Sequence, residues 1–262
     1  MKKILFACDG PHFAEGAFDF VRKLNDQEPI LLTGVFLANA EFSSLWNFAD
    51  GMHGPLFVPV MEQKDTAGVR QSVVRFEERC RSNGIAYRVH EDFYDFALSE
   101  LRLETRFADL LVIGDLERLG SRELQVALDF HRAGGGLLLV PGPHADRDSW
   151  SLLFEQLGCG RLEADTPSPA GASWRMLRAV AGHAVLEGFP ARPGEPITQA
   201  RFTAVPRFSP RAGARVLLRF DESHPALVEA PRVLAWLAPL DAERSDLALS
   251  GVFLPLVHQA AL

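Results

Sequence analysis

The sequence predicts an α/β protein built on a doubly wound parallel sheet, and three observations carry that expectation. Apolar runs such as Ile4-Leu5-Phe6-Ala7 and Leu110-Leu111-Val112-Ile113 have the length of buried strands. The stretches between such runs hold apolar residues at helical spacing, with Gly, Pro or Asn at many of the junctions. Strands that alternate with helices imply parallel pairing through right-handed crossovers, with helices covering both faces.

Taken in order, the first strand, 3–7, closes at Cys8-Asp9-Gly10 and leads into a helix over 13–24 with Phe13, Phe20, Val21 and Leu24 on its apolar face. A second strand spans 30–36. Asp65 can cap the long helix that follows, whose Val69, Val73, Phe76 and Cys80 share one face, and Asn83-Gly84 is the expected stop because Gly accepts the left-handed cap conformation. The spacing then predicts a strand over 85–89, a helix over 97–105, a strand over 108–113 and a helix over 121–132 with a Ser cap. The run Ala133-Gly134-Gly135-Gly136 ends that helix, 137–140 is the next strand, and 148–157 reads as helical. Beyond Gly158 the rhythm loosens into short strands, 215–220, 226–229 and 232–237, for which a mixed sheet is expected.

Length and charge set the bounds. A chain of 262 residues forms one large domain or two small ones. With 47% hydrophobic and 23% charged residues it has ordinary globular composition, and at net charge −7 it has the wrong sign for a nucleic-acid binder. No apolar run approaches the roughly 20 residues of a membrane helix, and Ile4 to Ala7 is too short for an export signal, so no membrane span and a cytoplasmic location are expected. Cys8, Cys80 and Cys159 show no metal-binding spacing, and no histidine pair has it either, so no metal site is expected.

Composition shifts along the chain. All four lysines precede residue 65, and 13 of the 17 prolines follow residue 114. The seam is expected near Gly114, dividing the chain into units 1–114 and 115–262.

Each unit resembles a known family. The opening Lys3-Ile-Leu-Phe-Ala-Cys-Asp9, the strand 31–36, the helix stop Asn83-Gly84-Ile85 and the closing Ala108-Asp-Leu-Leu-Val-Ile-Gly114 resemble the universal stress protein family. That likeness implies a flavodoxin-like fold and, in members that bind ATP, an acid at the position of Asp9 and a Gly-rich phosphate loop after Gly114. Here Gly114 is followed by Asp115-Leu-Glu117-Arg-Leu-Gly120-Ser121, and two carboxylates would repel phosphate where bare N–H groups are wanted, so no cofactor is expected. From about 109 to 258, the blocks 128–142, 183–189 and 240–258 resemble the class I glutamine-amidotransferase-like domain of bacterial aerotolerance-type membrane proteins. This implies a second α/β unit with mixed strands, continuing or following the first sheet.

An amidotransferase needs a Cys on a strand-to-helix elbow with a His and a carboxylate. Gly158-Cys159-Gly160 imitates the triplet, and His183 with Glu187 imitates the partners, but the residues ahead of Cys159 have helical spacing. A Cys at a helix C-cap is the competing expectation. Asp9, His12, Asp115 and His144 follow strands, and strand carboxyl ends form the ligand crevice of an open parallel sheet, so these four are the expected ligand-binding set, with ordinary turn chemistry as the alternative. The apolar insert 41–61 is expected to be a lid, a homodimer contact or a flap over its own core.

Together these features predict a non-catalytic, stress-related sensing or interaction protein with small-ligand binding at the crevice. The alternatives are an ATP-binding universal stress protein and a Cys-dependent amidotransferase-like hydrolase.

Overall fold

The structure, a computed structural model, describes residues 1–9, 13–37, 63–90, 104–114, 116–170, 172–190, 192–241, 243–247, 250 and 256. The 41–61 insert and the expected helix over 97–105, all but its last two residues, lie outside the described residues, as do His12 and Asp115.

The elements are β1 (Lys2–Asp9), α1 (Glu15–Gln27), β2 (Ile30–Leu37), α2 (Gln63–Ser82), β3 (Ala86–His90), β4 (Leu110–Gly114), α3 (Ser121–Arg132), β5 (Gly136–Val140) and α4 (Arg147–Gln156). There follow β6 (Gly160–Pro167), β7 (Leu177–Arg178), a 3₁₀ turn (Ala184–Leu186), β8 (Ala204–Pro210), β9 (Arg215–Asp221), β10 (His224–Ala230) and β11 (Val233–Trp236). Among the described residues, nine strands form one sheet in the order β3-β2-β1-β4-β5-β11-β10-β9-β7, and β6 pairs with β8 apart from it. The strands from β3 to β11 in that order run parallel, and β10, β9 and β7 add antiparallel ladders. This is the doubly wound α/β fold with mixed strands that the periodicity predicts. The sheet is continuous across residue 114, because β4 pairs with β1 on one side and β5 on the other.

Alternation along the strands divides the core in two. Ile4, Phe6 and Cys8 of β1, with Val112 and Leu138, face α1 and α2, whereas Leu5, Ala7, Leu111, Ile113 and Leu139 face α3 and α4. In the first layer the rings of Phe6, Phe18 and Phe76 meet at centroid distances of 5.9 to 6.2 Å, each pair contributing about 0.5–1.5 kcal/mol beyond the area it buries. Arg79 of α2 reaches Glu15 at 3.1 Å and Asp19 at 2.9 Å, clamping the two helices together. In the second layer the Trp150 indole N–H donates to the Leu116 carbonyl at 2.7 Å, fixing α4 to the chain leaving β4.

Local chemistry sets the helix ends, with two departures from expectation. Gly84, at φ +64°, ends α2, and the Ile85 N–H bonds back to the Cys80 carbonyl at 3.0 Å. The N-cap of α3 is Gly120, not Ser121, and no side chain caps it. Helix α2 begins at Gln63, so Asp65 lies within it and not at its N-cap position. Asp146 caps α4 by accepting the Ser149 N–H at 3.0 Å.

At Gly114 helix α1 lies directly against β4. A Cβ built there would lie 2.4 Å from the Ala17 Cβ of α1, so α1 seats against β4 only because residue 114 has no side chain. Gly114→Ala is expected to lower stability by about 1–3 kcal/mol through overpacking, read as a lower urea midpoint with an unchanged slope.

Candidate functional site

The order of the parallel strands reverses at β1, which has β2 on one side and β4 on the other. In open α/β sheets such a reversal is where a ligand crevice forms, outside the strand carboxyl ends. Register places three ends side by side: Cys8, next to Asp9, is opposite Gly114, and Gly114 is opposite Val140. Asp9 therefore closes β1 at the crevice. The loop after β5 turns back through an Ala145 N–H to Gly142 carbonyl bond and carries His144, which is exposed. Of the four residues expected to converge, the described structure brings the backbone of Asp9 and the loop of His144 to one end of the sheet. Beside this loop lies a polar hollow of about 40 Å³ lined by Pro141, Gly142, Arg147, Asp165 and Arg244. Arg244 is already engaged there, donating to Asp165 at 3.0 Å and Asp241 at 2.7 Å.

Gly114 has a packing reason to be glycine, its contact with Ala17, so its identity does not signal a phosphate cradle.

Cys159 follows a helix instead of opening one. Gly158, at φ +77°, is the left-handed residue after α4, and the Cys159 N–H returns to the Phe154 carbonyl at 2.8 Å while the Gly158 N–H returns to Glu155 at 3.1 Å. This paired helix stop turns the chain into β6, the reverse of a strand-to-helix elbow. The thiol is fully buried with the α3 and α4 layer, and that burial pushes its pKa up to about 12. His183 sits elsewhere, at the start of a turn whose Val185 and Leu186 pack into the opposite layer. Its Nδ1 accepts the Val185 N–H at 3.2 Å, which leaves Nε2 to donate to the Glu229 carboxylate at 3.1 Å. Glu187 is exposed, so the carboxylate that His183 meets is Glu229, and the set of Cys159, His183 and Glu187 is not assembled.

A larger cavity, of about 380 Å³, opens at the other end of the sheet. Ile4, Leu110, Gly136, Leu138 and Leu234 form its floor and Phe20 of α1 its wall, with Glu229 at the edge. Ile4, Leu110, Leu138 and Leu234 belong to the core layer that packs against α1, and Leu24 and Gln27 of the last turn of α1 also line the cavity. No motif marks such a site, because apolar residues at strand starts read as ordinary core. Its volume lies in the range of small-molecule pockets, roughly 300–1,000 Å³.

Among the described residues no group of three or more His, Cys, Asp or Glu is placed to hold a metal ion, and no helix is long and apolar enough to cross a membrane.

No protein-family model matches the sequence, and no curated protein matches it significantly. Solved structures do match. A ThuA-like protein from Bacteroides uniformis superposes over 99% of this chain and 89% of its own, with a TM-score of 0.54 at 11% identity. A glutamine amidotransferase from Thermotoga maritima covers 62% of this chain and 67% of its own, with a TM-score of 0.35 at 11% identity. A cold-adapted β-galactosidase from Rahnella covers 99% of this chain but only 30% of its own, with a TM-score of 0.45 at 13% identity. The first superposition establishes a shared fold along nearly the whole chain; the other two are too loose to bear on fold or chemistry. The universal stress protein resemblance receives no support from these matches.

The buried thiols give a test. Cys80, like Cys159, is pushed up to about 12 by burial, so both favour the protonated folded form. Their contribution is complete below the ordinary thiol pKa and is lost as pH rises from there toward 12. Unfolding free energy is expected to fall between pH 9 and 10.5 by up to about 1.4 kcal/mol per pH unit for each thiol. Cys159→Ala should flatten that slope, and native Cys159 should resist iodoacetamide until urea unfolds the chain.

Proposed function

We propose that the protein senses or presents a small ligand bound at the carboxyl-end crevice of β1, β4 and β5, without glutamine turnover through Cys159. The observation that carries this reading is the strand reversal at β1, which sets the ends of Cys8-Asp9, Gly114 and Val140 together under a loop bearing His144. In the sequence His12 follows β1 and Asp115 follows β4, and we assign both to the same set. The inert setting of Cys159 supports binding over catalysis.

A second reading rests on the cavity of about 380 Å³ at the amino end, which suits a mainly apolar molecule. One experiment separates the two. A fragment library is titrated into ¹⁵N-labelled protein, and amide shifts are mapped. Movement at Asp9, Gly114 and His144 supports the crevice, movement at Ile4, Leu110, Gly136 and Leu234 supports the cavity, and an unmoved spectrum removes both. Gly136→Leu should abolish only the second pattern, since a Cβ on Gly136 meets its nearest neighbours at an ordinary 3.7 Å and the larger side chain would fill the space beyond.

Acidic residues after Gly114 argue against a triphosphate. Millimolar Mg·ATP is expected to leave the thermal midpoint unchanged; saturation at 100 times Kd would have added about 2.7 kcal/mol of stability.

A further inference from the structure

Apart from the residues read for the crevice and the cavity, three elements bring together a hydroxyl, an imidazole and a carboxylate. Asp221 ends β9, His224 begins β10 after a short turn, and Thr166 lies near the end of β6 in the separate two-stranded sheet. The His224 ring is almost fully buried. Its Nδ1 stands 2.7 Å from Asp221 Oδ1 and its Nε2 stands 2.9 Å from Thr166 Oγ1.

The chemistry of the partners sets the direction of both bonds. A carboxylate only accepts, so Nδ1 carries the ring proton; Nε2 is then an acceptor, and the Thr166 O–H donates to it. Asp221 is held in place by the Ser223 N–H at 2.8 Å. Burial alone would raise its pKa, but the hydrogen bonds from His224 and Ser223 outweigh this and keep the carboxyl below its ordinary value. A base that faces a hydroxyl and is oriented by a third group is the arrangement by which a weak nucleophile is activated. Thr166 is only half-buried, which leaves its hydroxyl within reach of solvent. The Trp174 ring packs on His224 at 4.8 Å between centroids, and its buried indole N–H has no partner among the described residues, so a donor stands ready beside the imidazole.

We propose that Thr166, His224 and Asp221 form a hydroxyl–imidazole–carboxylate triad that hydrolyses small carboxylic esters through an acyl-Thr166 intermediate. In the first half, Thr166 Oγ gives its proton to His224 Nε2 and bonds to the ester carbonyl carbon. The carbon–alkoxy bond breaks, and the leaving oxygen takes that proton to depart as the alcohol. In the second half, water gives a proton to Nε2 and attacks the acyl carbon. The bond to Thr166 Oγ breaks, Oγ recovers the proton, and the carboxylic acid is released. Asp221 positions the imidazole and remains a carboxylate throughout. None of the residues read for the crevice or the cavity takes part, so this site stands or falls separately from the function proposed above.

The test uses the full chain and p-nitrophenyl acetate, with nitrophenolate release as one readout and peptide mass spectrometry of quenched protein as the other. The expected result is release above buffer, with a single acetyl group on Thr166. Thr166→Val keeps the shape of the strand residue, and its release should fall on the order of 10²-fold or more, as it should for His224→Gln. Thr166→Ser should retain release and labelling, and Asp221→Asn should lower release while Thr166 stays in place. Release unchanged in Thr166→Val, acetyl groups confined to other residues, or no release above buffer would each overturn the proposal. Circular dichroism of every variant separates loss of chemistry from loss of fold; should His224→Gln unfold, Thr166→Val and the acetyl position still decide.

Discussion

Strand β4 is the piece on which both halves of the molecule depend. It lies between β1 and β5, so every ladder from β3 to β1 and every ladder from β5 to β7 meets through its five residues. Its side chains divide by alternation, Val112 into one core layer and Leu111 with Ile113 into the other, and its last residue must be glycine for α1 to close down. A strand buried on both faces and paired on both edges has no tolerance for polar insertions, because any unpaired group there loses water without gaining a partner. The crevice inherits its position from the same strand, since the reversal at β1 exists only because β4 lies on the side opposite β2.

The two ends of this sheet offer different chemistry. At the carboxyl ends the chain turns through Gly, Pro and His, the setting of polar recognition, and Arg244 is already bound to two carboxylates nearby. At the amino ends the lining is mainly apolar, with Lys2, Asp109, Glu229 and Arg232 among the aliphatic residues. Position along one set of strands therefore decides between polar and apolar occupancy. The Thr166, His224 and Asp221 cluster belongs to neither end, since it bridges the antiparallel strands to the small β6–β8 sheet.

Much of the architecture was legible because buried parallel strands write uninterrupted apolar runs, and helices such as α1 write Phe20, Val21 and Leu24 at helical spacing, though Ala17 and Phe18, buried on the same helix, were not read. The helix stop at Gly84 was legible from its local chemistry, as was a C-cap setting for Cys159, where Gly158 takes the left-handed conformation. Less was readable where partners are distant in sequence. Strand β6 mixes Arg161, Glu163 and Asp165 with few apolar residues, so its pairing with β8 left no periodic mark. His183 meets Glu229 across 46 residues and His224 meets Thr166 across 58, and no spacing rule reports such contacts. Glu187 looked like the natural partner of His183 only because it is close in sequence. The seam near residue 114 reflects real shifts in Lys and Pro usage, yet one sheet crosses it.

The place of β11 has a consequence for how the chain reaches this state. It lies between β5 and β10, parallel to the first with Val233 beside Leu137 and antiparallel to the second, so closing the gap beside β5 joins segments about a hundred residues apart, a slow kind of contact to form. The ladders around β1 join only segments up to residue 140, so their backbone pairing can form while the rest of the polypeptide is still being made, although α4 arrives later to cover one face. During that interval β5 is a bare aliphatic edge with Leu137, Leu138 and Leu139 unpaired on one side, the kind of surface that recruits stray strands. Arrival of the last quarter of the chain therefore does more than complete the sheet: it ends the period in which a newborn molecule is most open to aggregation.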